Sequence, residues 1–563
     1  MPFAPLFAPA FIMFLGGLLL ALTRGTPRNA VALLVPLVTL WAVWQVPDGP
    51  VATVSFLGYP LQPVEGDRLS RLFGTIFSIM AFAGALFGLR QQSRLELPAA
   101  FVYAGAAIGV ALAGDLITVF VFWEIMAIAS TMVLWCGGTQ QAYRASMRYL
   151  IVHLFGGVLL MTGIIGRIAA TGSVEFGPMQ PHDLATWLIL AGFLVNAGAP
   201  PLSAWLPDAY PEASWSGTVF LSAFTTKTAV YTLLRGFPGS ELLVAVGAFM
   251  AFYGIIYALL ENDIRRILSY SIINQVGFMV VGAGIGTPLA INGAAAHAFA
   301  HIVYKALLLM SAGSVLLMTD GKRRCTELGG LFKSMPFTMV MGVVGALSIS
   351  AFPLTSGFIS KSMISEAAAD QHIAWLWLAL AAASAGVFLH AGIKFPWYVF
   401  FQADSGLRPK EPPRNMRLAM LLFAAICIGL GIDPSPLYAI LPYPVDYAPY
   451  TTGHVITMLQ LLLFSGLAFF IMLPYMKRTL TITLDFDWFY RRLFRVAARE
   501  LVERSAEARN AAEVDVENRF RQFLAQLLRA HGPHGVLART WPTGSMVLWA
   551  AVLLGLSLIL YYH

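Results

Sequence analysis

Cysteine, charged side chains and phosphate-binding loops are all scarce in this chain, and each shortage narrows its function. Cys136, Cys325 and Cys427 stand alone, with no CxxC or other cluster that could hold zinc or an iron–sulfur centre. No GxGxxG or GxxxxGK[ST] loop is present to cradle phosphates. The chain is therefore expected to bind no cofactor and no metal, and any redox centre of its assembly belongs to another chain. Charged residues make up only 12% of the 563 positions, against 58% hydrophobic. A water-soluble globule cannot hide that much apolar surface, so lipid is the expected solvent.

Apolar runs recur from end to end, and in lipid only helices with this period satisfy their own backbone. The pattern predicts an all-α polytopic membrane protein with about sixteen spans of about 20 residues each. They begin near residues 4, 29, 69, 98, 115, 147, 184, 216, 240, 264, 289, 336, 372, 416, 452 and 544. The start, MPFAPLFAPAF, has no basic n-region and no convincing cleavage site, so the first span is expected to be retained. Arg24, Arg28, Arg90, Arg94, Arg144, Arg148, Lys322 to Arg324, Arg408, Lys410 and Arg414 fall in odd-numbered loops, which should be cytoplasmic. Both termini are then expected outside the cytoplasm. Topology and anionic lipid explain the net charge of +7 without nucleic acid.

Six ionisable residues sit inside these apolar segments: Glu124, Lys227, His297, His301, Lys305 and Lys361. A charge at the bilayer centre costs roughly 2.5 to 3.5 kcal/mol on insertion scales, so such residues face a partner or a hydrated cavity. His297, His301 and Lys305 follow at i, i+4 spacing and form one helical stripe rising roughly 12 Å. Such a stripe can hand on protons; alternatively, the histidines simply bond neighbouring helices. Glu124 is expected to find a cationic partner or water. Two spans read as broken beside these residues. Segment 192–212 carries prolines at 200, 201, 207 and 211, and segment 348–362 carries Pro353 and Gly357 just before Lys361.

The segments DLITVFVFWE, PLSAWLPDAYP with TTKTAVYTLLR, NDIRRILSYSIINQVGF, HAFAHIVYKALLLMSAGS and PLTSGFISK resemble the antiporter-like, proton-translocating subunits of respiratory complex I and Mrp-type cation/proton antiporters. The Mrp D-type subunit is the nearest likeness. The resemblance implies a core of about fourteen helices with two inverted five-helix repeats, each containing a broken helix. It also implies that Glu124, Lys227, His297, His301, Lys305 and Lys361 form a midplane proton relay. Asn196 stands where many relatives place a lysine in the first broken helix, and asparagine cannot neutralise Glu124. Ser203 replaces a frequent histidine, and Arg265–Arg266 a Lys–Arg pair.

Residues 485–531 carry a helical apolar stripe that predicts an amphipathic helix of roughly 70 Å on the cytoplasmic face, before a final span at 544–562. This resembles the lateral helix of the largest antiporter-like subunit of complex I, which braces its neighbours. The expected domains are N-terminal helices 1–95, a first repeat 96–261, a second repeat 262–402, C-terminal helices 403–480, the amphipathic helix 481–535 and a last span 536–563. The function expected is that of a cell-membrane subunit of a monovalent cation (Na+)/proton antiporter, partnered by other membrane subunits and lipid. The alternatives are a proton-pumping subunit of a complex I-like oxidoreductase or hydrogenase, and a scaffold that no longer transports.

Overall fold

The computed structural model describes residues 8–475 and 485–562. The segment from Met1 to Asp487 is one compact unit and that from Trp488 to His563 a second. In the first unit, α1 (Pro9–Leu22) and α2 (Gly25–Gln45) precede a two-stranded antiparallel hairpin, β1 (Gly49–Phe56) and β2 (Tyr59–Gly66). Then come α3 (Arg68–Gly88), α4 (Glu96–Leu112), α5 (Leu116–Trp135), α6 (Gln140–Thr171) and α7 (Leu184–Ala197). The short helices α8 (Trp205–Ala209) and α9 (Gly217–Leu221) lead into α10 (Thr225–Gly236), α11 (Glu241–Leu260), α12 (Ile264–Ile285) and α13 (Pro288–Met318). α14 (Pro336–Ile349) and α15 (Ser356–Asp370) are followed by α16 (Ala374–Val387), which continues as π-helix over Phe388–Lys394 and Trp397–Phe401. α17 (Arg414–Ile432), the single turn α18 (Ser435–Tyr438) and α19 (Thr452–Met472) complete the unit.

Eleven described helices are long and apolar enough to cross a membrane, and α1, α4, α7 and α14 are shorter apolar ones. Fifteen of the sixteen expected spans have a helix each, the first beginning at Pro9, with residues 4–7 outside the described residues, whereas the span expected from 216 is divided between the short helices α9 and α10. Asp67, Asp115 and Asp183 cap α3, α5 and α7 by accepting from backbone amides three residues on. The hairpin fills the connection between α2 and α3, a stretch outside the expected spans. Asp115 Oδ2 ties it down by accepting from the Gln62 amide at 2.8 Å.

Both breaks occur where expected, but they are built differently. At the first, α7 ends on Gly198 in the left-handed region (φ 78°), and the chain resumes as α8. The second lies between α14 and α15, where Ala351 and Leu354 hold φ of 58° and 66°. Non-glycine residues rarely adopt such angles, and tertiary structure must hold them there. Gly357 is not part of this break. It lies inside α15, where a Cβ would overlap the Ser348 carbonyl at the end of α14.

The second unit holds a π-helical turn (Phe489–Leu493), α20 (Phe494–His531) and α21 (Thr543–Tyr562). With 38 residues α20 is about 57 Å long, shorter than the expected 70 Å. Residues 481–484 of the expected amphipathic segment lie outside the described residues. Five i, i+4 pairs, such as Arg504–Glu500 and Arg521–Glu517, support its polar centre.

Candidate functional site

α13 is the axis of the site, and its stripe divides in two. His297, His301 and Lys305 are all fully buried. His297 Nε2 lies 3.0 Å from Gln275 Oε1 of α12, and Nδ1 lies 3.2 Å from Ser360 Oγ of α15. Tyr304 donates to the same Gln275 oxygen at 3.1 Å. His297 is thus bonded into neighbouring helices, as the structural alternative expected. His301 and Lys305 are not: neither imidazole nitrogen nor the Lys305 ammonium has a hydrogen-bond partner. Buried polar groups are nearly always bonded to protein or water, so two unbonded residues one turn apart mark a place where water or a proton belongs.

Lys361 extends this group from α15. Its Nζ is buried, has no hydrogen-bond partner and lies 4.5 Å above the centre of the Phe278 ring, a cation–π geometry. Lys361 also lines a cavity of about 480 Å³ together with Ser362, Glu366, Asp446 and His454. Asp446 belongs to the 433–451 loop, so the lysine stands between the α13 stripe and an acidic opening.

Lys227 lies in the first turn of α10. Its Nζ donates to Ser222 O at 2.7 Å and to Thr226 Oγ1 at 3.1 Å. Like-charge interactions couple it to Lys305, His301 and His297, and couple Lys361 to both histidines. Five of the six expected residues therefore form one electrostatic group.

Glu124 does not join it by any ion pair among the described residues. The residue is half-buried and its Oε1 has no hydrogen-bond partner. Its carboxylate packs against Gly157 of α6, where a Cβ would overlap it. Of the two expectations for Glu124, a cationic partner or water, the cation is not found among the described residues, and Lys227 bonds backbone and threonine instead. Asn196, at the end of α7, is fully buried with neither amide atom bonded.

Several polar residues of the site escaped the sequence reading because they are not charged. Tyr103, Tyr149 and Thr225 form a hydroxyl file: Tyr103 Oη–Thr225 Oγ1 is 2.5 Å and Tyr149 Oη–Thr225 Oγ1 is 3.2 Å. Gln275, Tyr304 and Ser360 were missed likewise, and polar residues inside apolar helices were the available signal. His153, His390 and Lys394 are titratable and were also passed over. His390 sits on the π-helical segment, a feature often found at functional sites, and interacts with Lys305, Lys361 and Lys394. Arg265 gains a structural account, since its guanidinium donates to Pro211 O at 2.8 Å and to Ala213 O at 2.9 Å and clamps the segment after the first break.

Helices interrupted beside buried lysines and histidines define a multi-span helical membrane protein of the ion-translocating kind. The chain belongs to the NADH:quinone oxidoreductase/Mrp antiporter transmembrane family, whose profile matches residues 113–387, a range that contains all six expected residues. It is 30% identical to the D-type Na+/H+ antiporter subunit of Alkalihalophilus pseudofirmus, over 69% of this chain and 84% of that protein. It is 31% identical to the N-type NADH-quinone oxidoreductase subunit of Desulforudis audaxviator, over 66% and 80%. A chain in the structure of the archaeal membrane-bound sulfane sulfur reductase shares the fold, with a TM-score of 0.72 and 24% identity over 99% of both chains. The protein is an antiporter-like membrane subunit of the type found in Mrp and complex I-like assemblies.

Proposed function

We propose that this chain is a cell-membrane subunit of a monovalent cation (Na+)/proton antiporter, and that it moves protons through Glu124, Lys227, His297, His301, Lys305 and Lys361. The observation that carries the reading is the row of buried, unbonded groups on His301, Lys305 and Lys361, which ends at the cavity with Glu366 and Asp446. Protonation of one lysine raises the electrostatic cost of protonating the next, so a proton arriving at one end favours release at the other. His297, held by Gln275 and Ser360, keeps the stripe aligned. Loop charges put the Asp446 opening and both termini on the non-cytoplasmic side. The repeats are assigned to 96–261 and 262–402, with one break in each.

The test is proton flux across inverted vesicles that contain the assembled complex. Lys305→Ala and Lys361→Ala should each abolish flux while the complex still assembles; unchanged flux in both would favour a scaffold. The second reading is a proton-pumping subunit of a redox-driven assembly. It is favoured by the fold match over 99% of the chain, which takes in α20 and α21. Flux that depends on electron transfer in the assembly, with no response to an imposed Na+ gradient, would select it.

A further inference from the structure

α6 carries a histidine that the relay above does not use. His153 is 1% exposed, its Nδ1 lies 2.9 Å from Tyr149 O, and its Nε2 has no partner. The ring stacks on Tyr149 with centroids 3.8 Å apart and meets Trp205, just past the first break, edge-on at 4.6 Å. One helical turn further on, Gly156 and Gly157 present bare backbone. A Cβ on Gly157 would overlap the Glu124 carboxylate, and one on Gly156 would sit 3.6 Å from Asn196 Oδ1.

Three helices thus bring unbonded polar atoms to one stretch of α6: Glu124 Oε1 from α5, His153 Nε2 from α6 itself, and both amide atoms of Asn196 from α7. Side chains one turn apart on a helix have Cβ atoms roughly 5–6 Å apart, a gap that about one or two waters span. Asparagine holds a water but exchanges no proton with it, and an imidazole does. The other titratable groups facing this stretch are Tyr149 on the same helix, Tyr210 after the first break, and the Arg148–Asp208 ion pair at 2.7 Å. Arg148 and Asp208 neutralise each other, which leaves His153 as the group able to answer Glu124.

We propose that His153 exchanges protons with Glu124 and is the proton-carrying base of the first half, the role that the neutral Asn196 cannot fill. The inference rests on the relay reading above. In the step, the Glu124 carboxylic O–H bond breaks as an Nε2–H bond forms, directly or through water, leaving a carboxylate beside an imidazolium. The imidazolium Nε2–H bond then breaks as the proton shifts through water and the Tyr149–Thr225 hydroxyls, each oxygen taking one proton as it gives up its own. The last proton forms an N–H bond on the neutral amine of Lys227, which Thr226 holds. Trp205 and Tyr149 keep the ring in place.

The experiment compares proton flux in vesicles containing the assembled complex with His153→Gln, Glu124→Gln, the double variant, His153→Gln/Asn196→Lys and Lys305→Ala. H153Q is expected to lower flux on the order of 100-fold, the usual contribution of a positioned acid or base. The double variant should be no worse than either single one, and Asn196→Lys should restore flux by placing a titrating cation beside Gly156. Wild-type flux in H153Q with flux lost in K305A overturns the role of His153 and spares the relay. Wild-type flux in both overturns the relay itself. Additive losses, or no rescue by Asn196→Lys, assign His153 a packing role and overturn the proposal. Should H153Q fail to assemble, infrared difference spectra of the wild-type complex labelled with ¹⁵N-histidine decide. An imidazole protonation band that disappears in E124Q supports the proposal, and one indifferent to E124Q overturns it.

Discussion

The two broken spans solve the same problem with opposite chemistry. At the first, a glycine takes the left-handed conformation and the residue beside the break is a neutral, unbonded asparagine. At the second, Ala351 and Leu354 hold the strained angles, and a lysine stands in the second turn of the following helix, facing a cavity. One break can charge and discharge; the other can only hold a dipole. Cations are distributed accordingly: Lys227, Lys305 and Lys361 interact with the histidines of α13, whereas Glu124 has no ion-pair partner among the described residues. Under the proposed relay, a proton in the first half needs help from a neighbouring helix.

The largest expected effect tests that asymmetry directly. Lys361→Ala removes the titrating group at the second break and should lower proton flux on the order of 100-fold or more in the assembled complex. Asn196→Ala at the first break should leave flux within about threefold of wild type, because no titrating group is removed. Equal losses in the two variants would erase the contrast.

Next in size is a pair of glycine substitutions. Gly357→Ala places a Cβ against the Ser348 carbonyl, a backbone atom that cannot swing aside, and should destabilise the protein by about 1–3 kcal/mol in a thermal unfolding assay in detergent. Gly157→Ala meets only the end of the Glu124 side chain, which can rotate away. It should cost little stability yet lower flux by moving the carboxylate. A large drop in melting temperature for Gly157→Ala would mean that Glu124 is fixed, and that the first half is as rigid as the second.

Asn196→Leu should be smaller still. Two buried amide atoms without partners cost free energy, and a leucine of similar size needs no bonds, so stability is expected to stay level or rise by about 1 kcal/mol. A loss of stability would show that the amide is satisfied in the working protein, which would bring the first break closer in character to the second.

Legibility in the sequence followed the range of the interactions. The spans, both breaks and the α13 stripe depend on residues within one helix or one loop, and their spacing displays them directly. The hairpin at 49–66 had its own local signal, the alternation of VATVSF before a glycine at position 58 with φ 85°, but apolar runs on both sides masked it. The rest is long-range. Gln275 reaches His297 across 22 positions and Ser360 reaches it across 63, and nothing local marks either as a partner. The π-helical stretch after α16 needs the packing of neighbouring helices to widen its turns, so His390 could not be placed. His153 looked like any histidine in an apolar helix until α5 and α7 were seen to bring unbonded groups to the same turn.

The smallest expected effect concerns the ion pairs that hold a connecting segment in each half. Near the first break, Arg148 grips Asp208 at 2.7 and 2.9 Å in a partly buried bidentate pair. In the second half the corresponding staple is exposed: Asp404 accepts from Lys333 at 2.8 Å, from Arg408 at 2.6 Å and from the Gly406 amide at 2.9 Å. These donors hold the Asp404 carboxyl well below the usual carboxylate range, with the Arg408 hydrogen bond the largest cause. A carboxyl whose value is depressed by folding stabilises the fold fully above its unfolded value of about 3.9 and loses that contribution only as pH falls towards the depressed one. Hydrogen exchange at the Gly406 amide should thus keep its protection, relative to an unstructured reference at each pH, from neutrality down to about pH 4. Deprotection already near pH 6, or none caused by Asp404→Asn at neutral pH, would show that water screens the exposed staple completely and that only the first half is pinned by charge.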